Sequence, residues 1–308
     1  MKALTDWTQK EVLILAFDHR SSFTKKLFGI KDRQPTAEEK KRIEDYKRLI
    51  FMGFRRALEK TVPREIAGLL VDEEYGADVL REAKKSGFTF AMPVEKSGQA
   101  EFDFEYGEDY AKHIEEFDPT FVKVLVRYNP TGDAMVNKRQ LERLKMLSDY
   151  LQRTGKPFLF ELIVPSTPQQ LVESGGAKET YDLKLRPKLM VESIREIQAA
   201  GIEPSVWKVE GVENPNDAKA IVNQAQSGGR QAGIITLGRG ESKEQVQKWL
   251  AVGAKIPGVI GFAVGRTIFM QPLCEYKDGT ISQNEAIEKI ALNYADLVTL
   301  WQNEKKKR

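Results

Sequence analysis

Short apolar segments rich in β-branched residues alternate along the chain with longer segments in which apolar residues recur every three or four positions. The first kind is typical of buried strands and the second of amphipathic helices. Eight candidate strands occur, at 12–18, 66–72, 88–93, 121–126, 158–163, 206–210, 233–237 and 259–264. A helical segment follows each strand. The sequence therefore predicts an α/β fold, a single (β/α)8 TIM barrel over residues 1–308, in preference to an open doubly wound sheet.

Helix boundaries agree with this alternation. Segments 36–39 and 282–285 both fit the capping box that starts a helix. Gly87, Gly155 and Gly201 each stand just before a strand, where a glycine can end the preceding helix in the left-handed conformation.

Two segments carry more specific expectations. A long first helix is predicted over 38–59, with one apolar stripe formed by Ile43, Tyr46, Ile50, Phe54 and Leu58. The longest connection, 165–184, follows the fifth strand. It is predicted to be a functional loop that closes over the site, with a short extra helix on the barrel rim as the alternative.

Composition narrows the classes of function. The 308 residues carry 48 basic and 45 acidic side chains, a formal net charge of +3, so no binding of nucleic acid is expected. The single Cys274 excludes an intrachain disulfide, and His19 and His113 are too few for a poly-His metal centre. Residues 1–7 lack a continuous apolar segment, and no segment is long enough to cross a bilayer. We expect a cytoplasmic protein that does not bind membranes.

Polar residues late in the strands mark the candidate site, because TIM barrels build their active sites at the C-terminal ends of the strands. Lys208 lies between Trp207 and Val209 in an apolar strand, where a cation must be paired or have a chemical role. Strand alternation predicts that Lys208 points inward together with Val206 and Glu210. It also predicts one common face for Lys123, Leu125 and Arg127.

Lys123 and Lys208, with Asp18 and Glu161, form a predicted charged set inside the barrel. The set is either a structural ion-pair network or a catalytic site, and buried charge without a function costs stability. Burial and a neighbouring cation both favour the neutral, nucleophilic form of an amine. We expect Lys208 to be the nucleophile, Lys123 its cationic neighbour, and the two carboxylates the proton carriers.

A second constellation follows strands seven and eight, where TIM barrels commonly hold a phosphate. It consists of Gly238, Arg239, Gly240, Gly265 and Arg266. Glycine backbone N–H groups, a helix N-terminus and a guanidinium are the usual parts of a phosphate site. A Gly-Arg-Gly triplet can also be a tight turn, but its predicted location favours phosphate binding.

Several of these motifs resemble the class I aldolase branch that contains tagatose-1,6-bisphosphate aldolase. They are Ala-Phe-Asp-His-Arg at 16–20, Leu-Val-Asp-Glu-Glu-Tyr-Gly at 70–76, Val-Lys-Val at 122–124, Trp-Lys-Val-Glu at 207–210 and Gly-Phe-Ala-Val-Gly-Arg at 261–266. The resemblance covers essentially the whole chain. It is closer still to the aldolase-like module fused to bacterial 5-dehydro-2-deoxygluconokinase in myo-inositol catabolism. In this branch a Schiff-base lysine, a second lysine and two acid/base carboxylates occupy the positions of Lys208, Lys123, Asp18 and Glu161.

The resemblance implies cleavage of 2-deoxy-5-keto-gluconate 6-phosphate into dihydroxyacetone phosphate and malonate semialdehyde, with no metal or cofactor. Arg239 and Arg266 would bind the phosphate, and Arg20 or Arg127 the far carboxylate, which suits guanidinium geometry. The segments 18–20 and 238–240 differ from the pattern of the bisphosphate enzymes. A tagatose-bisphosphate-like ketose aldolase is therefore the second reading.

Other classes stay open. A Mg²⁺-dependent lyase or isomerase could use Asp72, Glu73, Glu161 and Glu210 as oxygen ligands, although two lysines in the cavity would compete with the metal. A non-catalytic sugar-phosphate-binding barrel, or a partner of a separately encoded kinase, is the remaining alternative. The partner expected in every reading is a phosphorylated sugar, and a homo-oligomer is compatible with all of them.

Overall fold

A computed structural model describes residues 6–308 and has eight parallel strands that close into a barrel in chain order. The strands are β1 (Val12–Ala16), β2 (Ala67–Leu70), β3 (Thr89–Pro93), β4 (Phe121–Arg127), β5 (Phe158–Ile163), β6 (Val206–Glu210), β7 (Gly233–Leu237) and β8 (Val259–Val264). β1 pairs with β2 on one side and with β8 on the other, which closes the sheet. The predicted (β/α)8 TIM barrel is confirmed.

The helices surround this barrel. They are α1 (Ser21–Phe28), α2 (Ala37–Lys60), α3 (Glu73–Ser86), α4 (Tyr110–Phe117), α5 (Ala134–Thr154), α6 (Pro168–Glu173), α7 (Lys178–Lys184), α8 (Arg186–Ala199), α9 (Pro215–Ala225), α10 (Lys243–Ala254), α11 (Arg266–Lys277) and α12 (Gln283–Lys305). The segment 165–184 contains α6 and α7. The alternative of a short extra helix is confirmed, since two short helices occupy the segment, whereas closure of the segment over the site stays a prediction.

The predicted helix ends are largely confirmed. Thr36 and Ser282 begin α2 and α12 with complete capping boxes. Gly87 and Gly155 end α3 and α5 in the left-handed conformation, with φ of 65° and 66°. Gly201 has a φ of 74° just beyond α8. Glycine has no Cβ and adopts a positive φ without a steric clash, so the helix before each of these three glycines can end just ahead of the next strand.

Two apolar layers lie on either side of the sheet. Val206 belongs to the buried cluster inside the barrel, whereas Trp207 and Val209 belong to the larger cluster between the strands and the helices. Gly261 on β8 lies opposite Val12, and a Cβ there would overlap the Val12 carbonyl group. The barrel can therefore close tightly at this strand pair only with glycine.

Within residues 6–308, no helix combines the length and apolarity that crossing a membrane requires. Residues 1–5, which contribute to the expectation about the N-terminal segment, lie outside the described part of the chain.

Candidate active site

A cavity of about 530 Å³ opens among the C-terminal ends of the strands. All eleven residues that the sequence predicts for the site line it: Asp18, Arg20, Lys123, Arg127, Glu161, Lys208, Gly238, Arg239, Gly240, Gly265 and Arg266. The parallel barrel explains this gathering, because each strand delivers its last residues to the same end of the molecule. What each residue does there remains a prediction.

Lys208 is the centre of the charged set. Its side chain is 6% exposed, and its Nζ atom lies 2.7 Å from Oε2 of Glu161. Glu161 on β5 is the registered neighbour of Lys208 on β6, so the pairing of two adjacent strands fixes this contact. Lys123 Nζ lies 3.0 Å from the same Glu161 oxygen. The two ammonium groups therefore share one carboxylate oxygen.

Lys123 is surrounded by carboxylates. Besides Glu161, its Nζ atom donates to Oδ2 of Asp18 and to Oε1 of Glu95, both at 2.7 Å. Burial lowers the pKa of Lys123, but the attraction of Asp18, Glu161 and Glu95 outweighs burial and the net pKa is raised. The protonated form of Lys123 is thus favoured, and the Glu161 carboxylate lies between Lys123 and Lys208.

The three carboxyl groups do not behave alike. Burial raises the pKa of Asp18 and of Glu161, yet Lys123 and Lys208 more than offset it, and both pKa values are held below their usual range. At Glu95 burial prevails over Lys123 and Arg20, and the pKa is raised. Glu95 is a functional candidate that the sequence reasoning missed. It comes two residues after β3, so the rule of polar residues at strand ends could have found it.

His19, next to Asp18, is neutral at physiological pH. Burial, with a smaller contribution from the charge of Arg266, outweighs the attraction of Asp18 and lowers the pKa of His19 to about 4. Its ring lies edge-on to Phe269, with centroids 6.1 Å apart. His19 lines the cavity as an uncharged side chain beside a charged set.

The two arginines expected to meet the far end of a substrate are both engaged by the protein. Arg20 donates from Nη2 to the Glu95 carbonyl at 2.7 Å and from Nη1 to Glu105 at 3.0 Å. Arg127 donates from Nη1 to the Gln99 carbonyl at 2.6 Å. Arg20 is 5% exposed, so its contacts fix the shape of this side of the cavity.

The loops after β7 and β8 lie against each other. Arg266 begins α11, and its Nη2 atom donates to the Arg239 carbonyl at 2.7 Å. Its Nε atom is buried and has no hydrogen-bond partner among residues 6–308. Gly240 has a φ of 80°, and a Cβ at this position would overlap the Arg266 guanidinium. Gly240 is therefore needed both for the turn and for the close approach of Arg266.

Arg239 lines the cavity and is also paired within a carboxylate network. Its Nε atom lies 2.8 Å from Oε1 of Glu210 and its Nη1 atom 2.8 Å from Oδ2 of Asp182 on α7. Arg186 completes the network with a 3.0 Å contact from its Nε atom to Oδ1 of Asp182. The network joins the β7 loop to the extra helix α7.

Glu210 belongs to this network and not to the cavity. Its Oε2 atom accepts a hydrogen bond from the Val164 backbone at 3.1 Å. Alternation along β6 predicts that Glu210 points inward with Lys208. Leu237, the registered neighbour of Glu210 on β7, lines the cavity, whereas Glu210 itself does not, and its inward direction stays a prediction.

The four carboxylates considered as Mg²⁺ ligands are each held by a different basic partner. Asp72 contacts Lys47, Glu73 contacts His113 at 2.8 Å, Glu161 contacts the two lysines of the charged set, and Glu210 contacts Arg239. Among residues 6–308, no group of three or more His, Cys, Asp or Glu side chains is arranged to hold a metal ion.

Proteins of similar sequence and fold include aldolases. Proteins of Listeria monocytogenes and Listeria innocua named tagatose 1,6-diphosphate aldolase are 28% identical to this chain over 207 residues, which is 65% of this chain and 55% of each relative. The matched region thus spans about half the length of these relatives. Their names agree with the aldolase resemblance of the motifs.

Solved structures share the fold at low identity. An archaeal fructose 1,6-bisphosphate aldolase superposes with a TM-score of 0.58 at 14% identity and covers 94% of both chains. The fructose-bisphosphate aldolase of Plasmodium falciparum gives a TM-score of 0.66 at 15% identity, over 97% of this chain and 92% of the other. At such identities these structures show a common fold alone.

Residues 3–305 match a family described as "Uncharacterized protein conserved in bacteria (DUF2090)". Since the match extends over nearly the whole chain, the protein belongs to the DUF2090 family.

Proposed function

We propose that the protein is a class I aldolase that cleaves a phosphorylated ketose or keto sugar acid through an imine on Lys208. The observation that carries the proposal is the 2.7 Å contact between Lys208 Nζ and Glu161 Oε2 in a cavity that Arg266 also lines. Imine formation needs a buried amine beside a proton carrier, and this contact supplies both. The names of the Listeria relatives support the class of reaction.

In the proposed reaction, the neutral amine of Lys208 adds to the ketone next to the phosphate-bearing carbon. Loss of water gives an iminium, which acts as the electron sink for cleavage of the bond between the α and β carbons. A carboxylate, for which we propose Glu161, takes the proton of the hydroxyl group on the β carbon, the α–β bond breaks into the iminium, and the β carbon leaves as an aldehyde. The remaining enamine is protonated and hydrolysed, which releases dihydroxyacetone phosphate and restores Lys208. The protein side chains supply the electron sink and the proton carriers, so no cofactor is required.

We propose that phosphate binds at the N-terminus of α11, close to Gly238 and Gly240. Arg266 is the main cation there, because its Nε atom is buried and has no partner among the described residues. A helix N-terminus and glycine backbone N–H groups favour an anion at such a position. Arg239 is already paired with Glu210 and Asp182, and we therefore assign it to holding the loop in place.

The substrate we propose is 2-deoxy-5-keto-gluconate 6-phosphate, which the motif resemblance implies. Its cleavage gives malonate semialdehyde besides dihydroxyacetone phosphate. Tagatose 1,6-bisphosphate is the second candidate, because the Listeria relatives carry that name. Cleavage assays with both compounds separate the two, since only the first yields an aldehyde with a carboxylate group.

The experiment that tests the reaction is borohydride reduction of the protein in the presence of dihydroxyacetone phosphate, followed by peptide mass analysis. We expect a stable adduct on Lys208 and none in Lys208→Met. An adduct on Lys123 alone would move the nucleophile to β4. Activity that disappears with EDTA and returns with Mg²⁺ would contradict the imine mechanism and support the metal-dependent alternative. Binding without turnover or adduct would support a non-catalytic barrel.

A further inference from the structure

Glu95 is held rigidly at the edge of the charged set. It follows β3 and forms an antiparallel bridge with Phe104, and the Val94 backbone donates to the Lys123 carbonyl at 3.0 Å. Its side chain is 6% exposed and lines the same cavity as Lys208. The position of the carboxyl group is thus fixed by backbone contacts on both sides.

The two oxygens of Glu95 have different surroundings. Oε1 accepts a hydrogen bond from Lys123 at 2.7 Å. Oε2 is buried and has no hydrogen-bond partner among residues 6–308. A buried carboxylate with an unpaired oxygen is costly, and a proton on that oxygen removes the cost. The raised pKa of Glu95, which burial causes, agrees with this geometry.

The buried charges balance only when Lys208 is protonated. Three buried carboxylates (Asp18, Glu95 and Glu161) face three cations (Lys123, Lys208 and Arg20), and Arg20 also pairs with the partly exposed Glu105. An ammonium group is not nucleophilic, so Lys208 must give up a proton before it attacks the ketone. If that proton left for solution, the buried set would carry an uncompensated negative charge.

The overall conversion requires no proton from outside. An alkylammonium ion and a ketone give an iminium ion and water, with the same atoms and the same charge on both sides. The proton that Lys208 gives up therefore has to be held elsewhere only in the interval between attack by the amine and loss of water. A nearby acceptor that holds it inside the protein avoids exchange with solvent.

We propose that Glu95 is this proton store, an inference that rests on the proposed imine chemistry of Lys208. The path is a chain of three contacts: Lys208 to Glu161 at 2.7 Å, Glu161 to Lys123 at 3.0 Å, and Lys123 to Glu95 at 2.7 Å. Lys208 passes a proton to Glu161 Oε2, Lys123 passes one to Glu95, and Glu161 restores Lys123. The result is neutral Lys208, protonated Glu95, and unchanged Lys123 and Glu161.

The return of the proton completes the cycle. Lys123 gives a proton to Glu161, Glu95 restores Lys123, and Glu161 passes its proton to the carbinolamine hydroxyl, which leaves as water. Glu95 touches no reacting atom in this scheme and acts through Lys123. It is therefore a positioning residue for the proton and not an additional catalytic acid.

The test measures the rate of borohydride trapping with dihydroxyacetone phosphate between pH 6 and pH 9 in the native protein, Glu95→Gln and Glu95→Asp. The charged or titratable groups that line the cavity with Glu95, together with Glu105 beside Arg20, are Asp18, His19, Arg20, Lys25, Lys96, Glu101, Glu105, Lys123, Arg127, Glu161, Lys208, Arg239 and Arg266. The native rate is expected to change little with pH. Glutamine cannot accept a proton, so Lys208 must then release it to solution, and the rate should rise about tenfold per pH unit. Aspartate should keep the flat profile at a lower rate.

Several outcomes would overturn the inference. If the trapping rate of Glu95→Gln were below the native rate by the same factor at every pH, Glu95 would have only a structural role. If Glu95→Gln were trapped at low pH as fast as the native protein, or faster, the role of Glu95 would be only to keep Lys208 protonated. Absence of a Lys208 adduct in the native protein at all pH values would instead remove the proposed function itself.

A second measurement uses only the native protein. Dihydroxyacetone phosphate is mixed rapidly with the enzyme in weak buffer containing a pH indicator. The inference predicts no transient release of a proton while the imine forms. Release of about one proton per site, followed by its uptake, would show that the proton leaves for solution and would contradict storage at Glu95.

Discussion

Two sets of buried lysine and carboxylate groups lie within this molecule, and only one of them lines the barrel cavity. Behind the barrel wall, Lys47 on α2 contacts Asp72, and both side chains are fully buried. Lys47 also donates to the Phe17 carbonyl at 3.0 Å, and Asp72 caps α3 through the Tyr75 backbone N–H. Each charged group has its partners, and neither lines the barrel cavity.

The set inside the barrel is organised differently. Its two lysines face three carboxylates, one oxygen of Glu95 has no partner among the described residues, and all five groups line the cavity. Burial and pairing are common to both sets and do not distinguish them. A buried oxygen without a partner, in a set that lines an open cavity, does distinguish them, because such a group can exchange a proton with a ligand without breaking the fold.

The largest effects are expected when a lysine of each set, Lys208 or Lys47, is replaced by methionine. Lys208→Met removes the proposed nucleophile, and we expect kcat to fall by more than about 10³-fold. Its free energy of unfolding should fall less than that of the corresponding Lys47 variant, because Glu161 keeps Lys123 as a partner. Lys47→Met leaves Asp72 buried without its cation and should cost about 3–5 kcal/mol of stability. Turnover and urea unfolding measure the two effects.

A matched control accompanies the lysine pair. Adding Asp72→Asn to Lys47→Met removes the unpaired charge and keeps a residue that caps α3 well, so most of the lost stability should return. Equal losses of stability in the two single variants would erase the distinction between the sets. Substantial turnover in Lys208→Met would place the reactive amine elsewhere.

The sequence predicts the barrel and the gathering of the site residues because both follow from strand periodicity. Residues at the ends of parallel strands must meet, whatever their partners are. The direction in which a long side chain points past the strand end is not periodic, and Arg239 shows this. It pairs with Asp182 on α7, a helix whose presence the sequence leaves as one of two alternatives for 165–184.

Lys47 illustrates a second limit. It lies in α2, where a charged residue every few positions is normal, so nothing in the local sequence marks it as buried. Its burial depends on where α2 packs against the ends of β1 and β2, which is a tertiary property. Glu95, in contrast, obeys the strand-end rule and could be predicted from the sequence.

Arg266 and Arg239, both in the proposed phosphate site, differ in their pairing in the same way. Arg266 has a buried Nε atom without a partner among the described residues, whereas Arg239 is paired with Glu210 and Asp182. Arg266→Met should lower kcat/KM by about 10- to 100-fold, mostly through KM, because it removes a charge-assisted contact to phosphate. Arg239→Met should change KM less and lower stability more, since buried Glu210 loses its nearest cation. Steady-state kinetics and urea unfolding of both variants test this division. A larger effect of Arg239 on KM would assign the phosphate to Arg239 instead.

The smallest expected effect concerns His19, an uncharged member of the cavity wall. Its pKa is about 4 in the folded protein, lowered mainly by burial, whereas an unfolded histidine titrates near its ordinary value of about 6.5. Between these values the unfolded chain binds a proton that the folded protein does not, so stability falls as pH decreases from 6.5 towards 4. At pH 5.5 the loss from this residue should be about 1 kcal/mol relative to pH 7.5.

Urea unfolding of the native protein and of His19→Gln at pH 7.5 and 5.5 measures this contribution. The variant should lose less stability on acidification by about 1 kcal/mol, because glutamine does not titrate. The carboxylates of Asp18 and Glu161 do not confound this window, since their pKa values lie below the usual carboxyl range and their stabilisation is lost only at lower pH. Identical pH slopes in the two proteins would mean that His19 accepts a proton in the folded state. Protonated His19, beside Asp18, would then be a further cation among the charged groups that line the cavity.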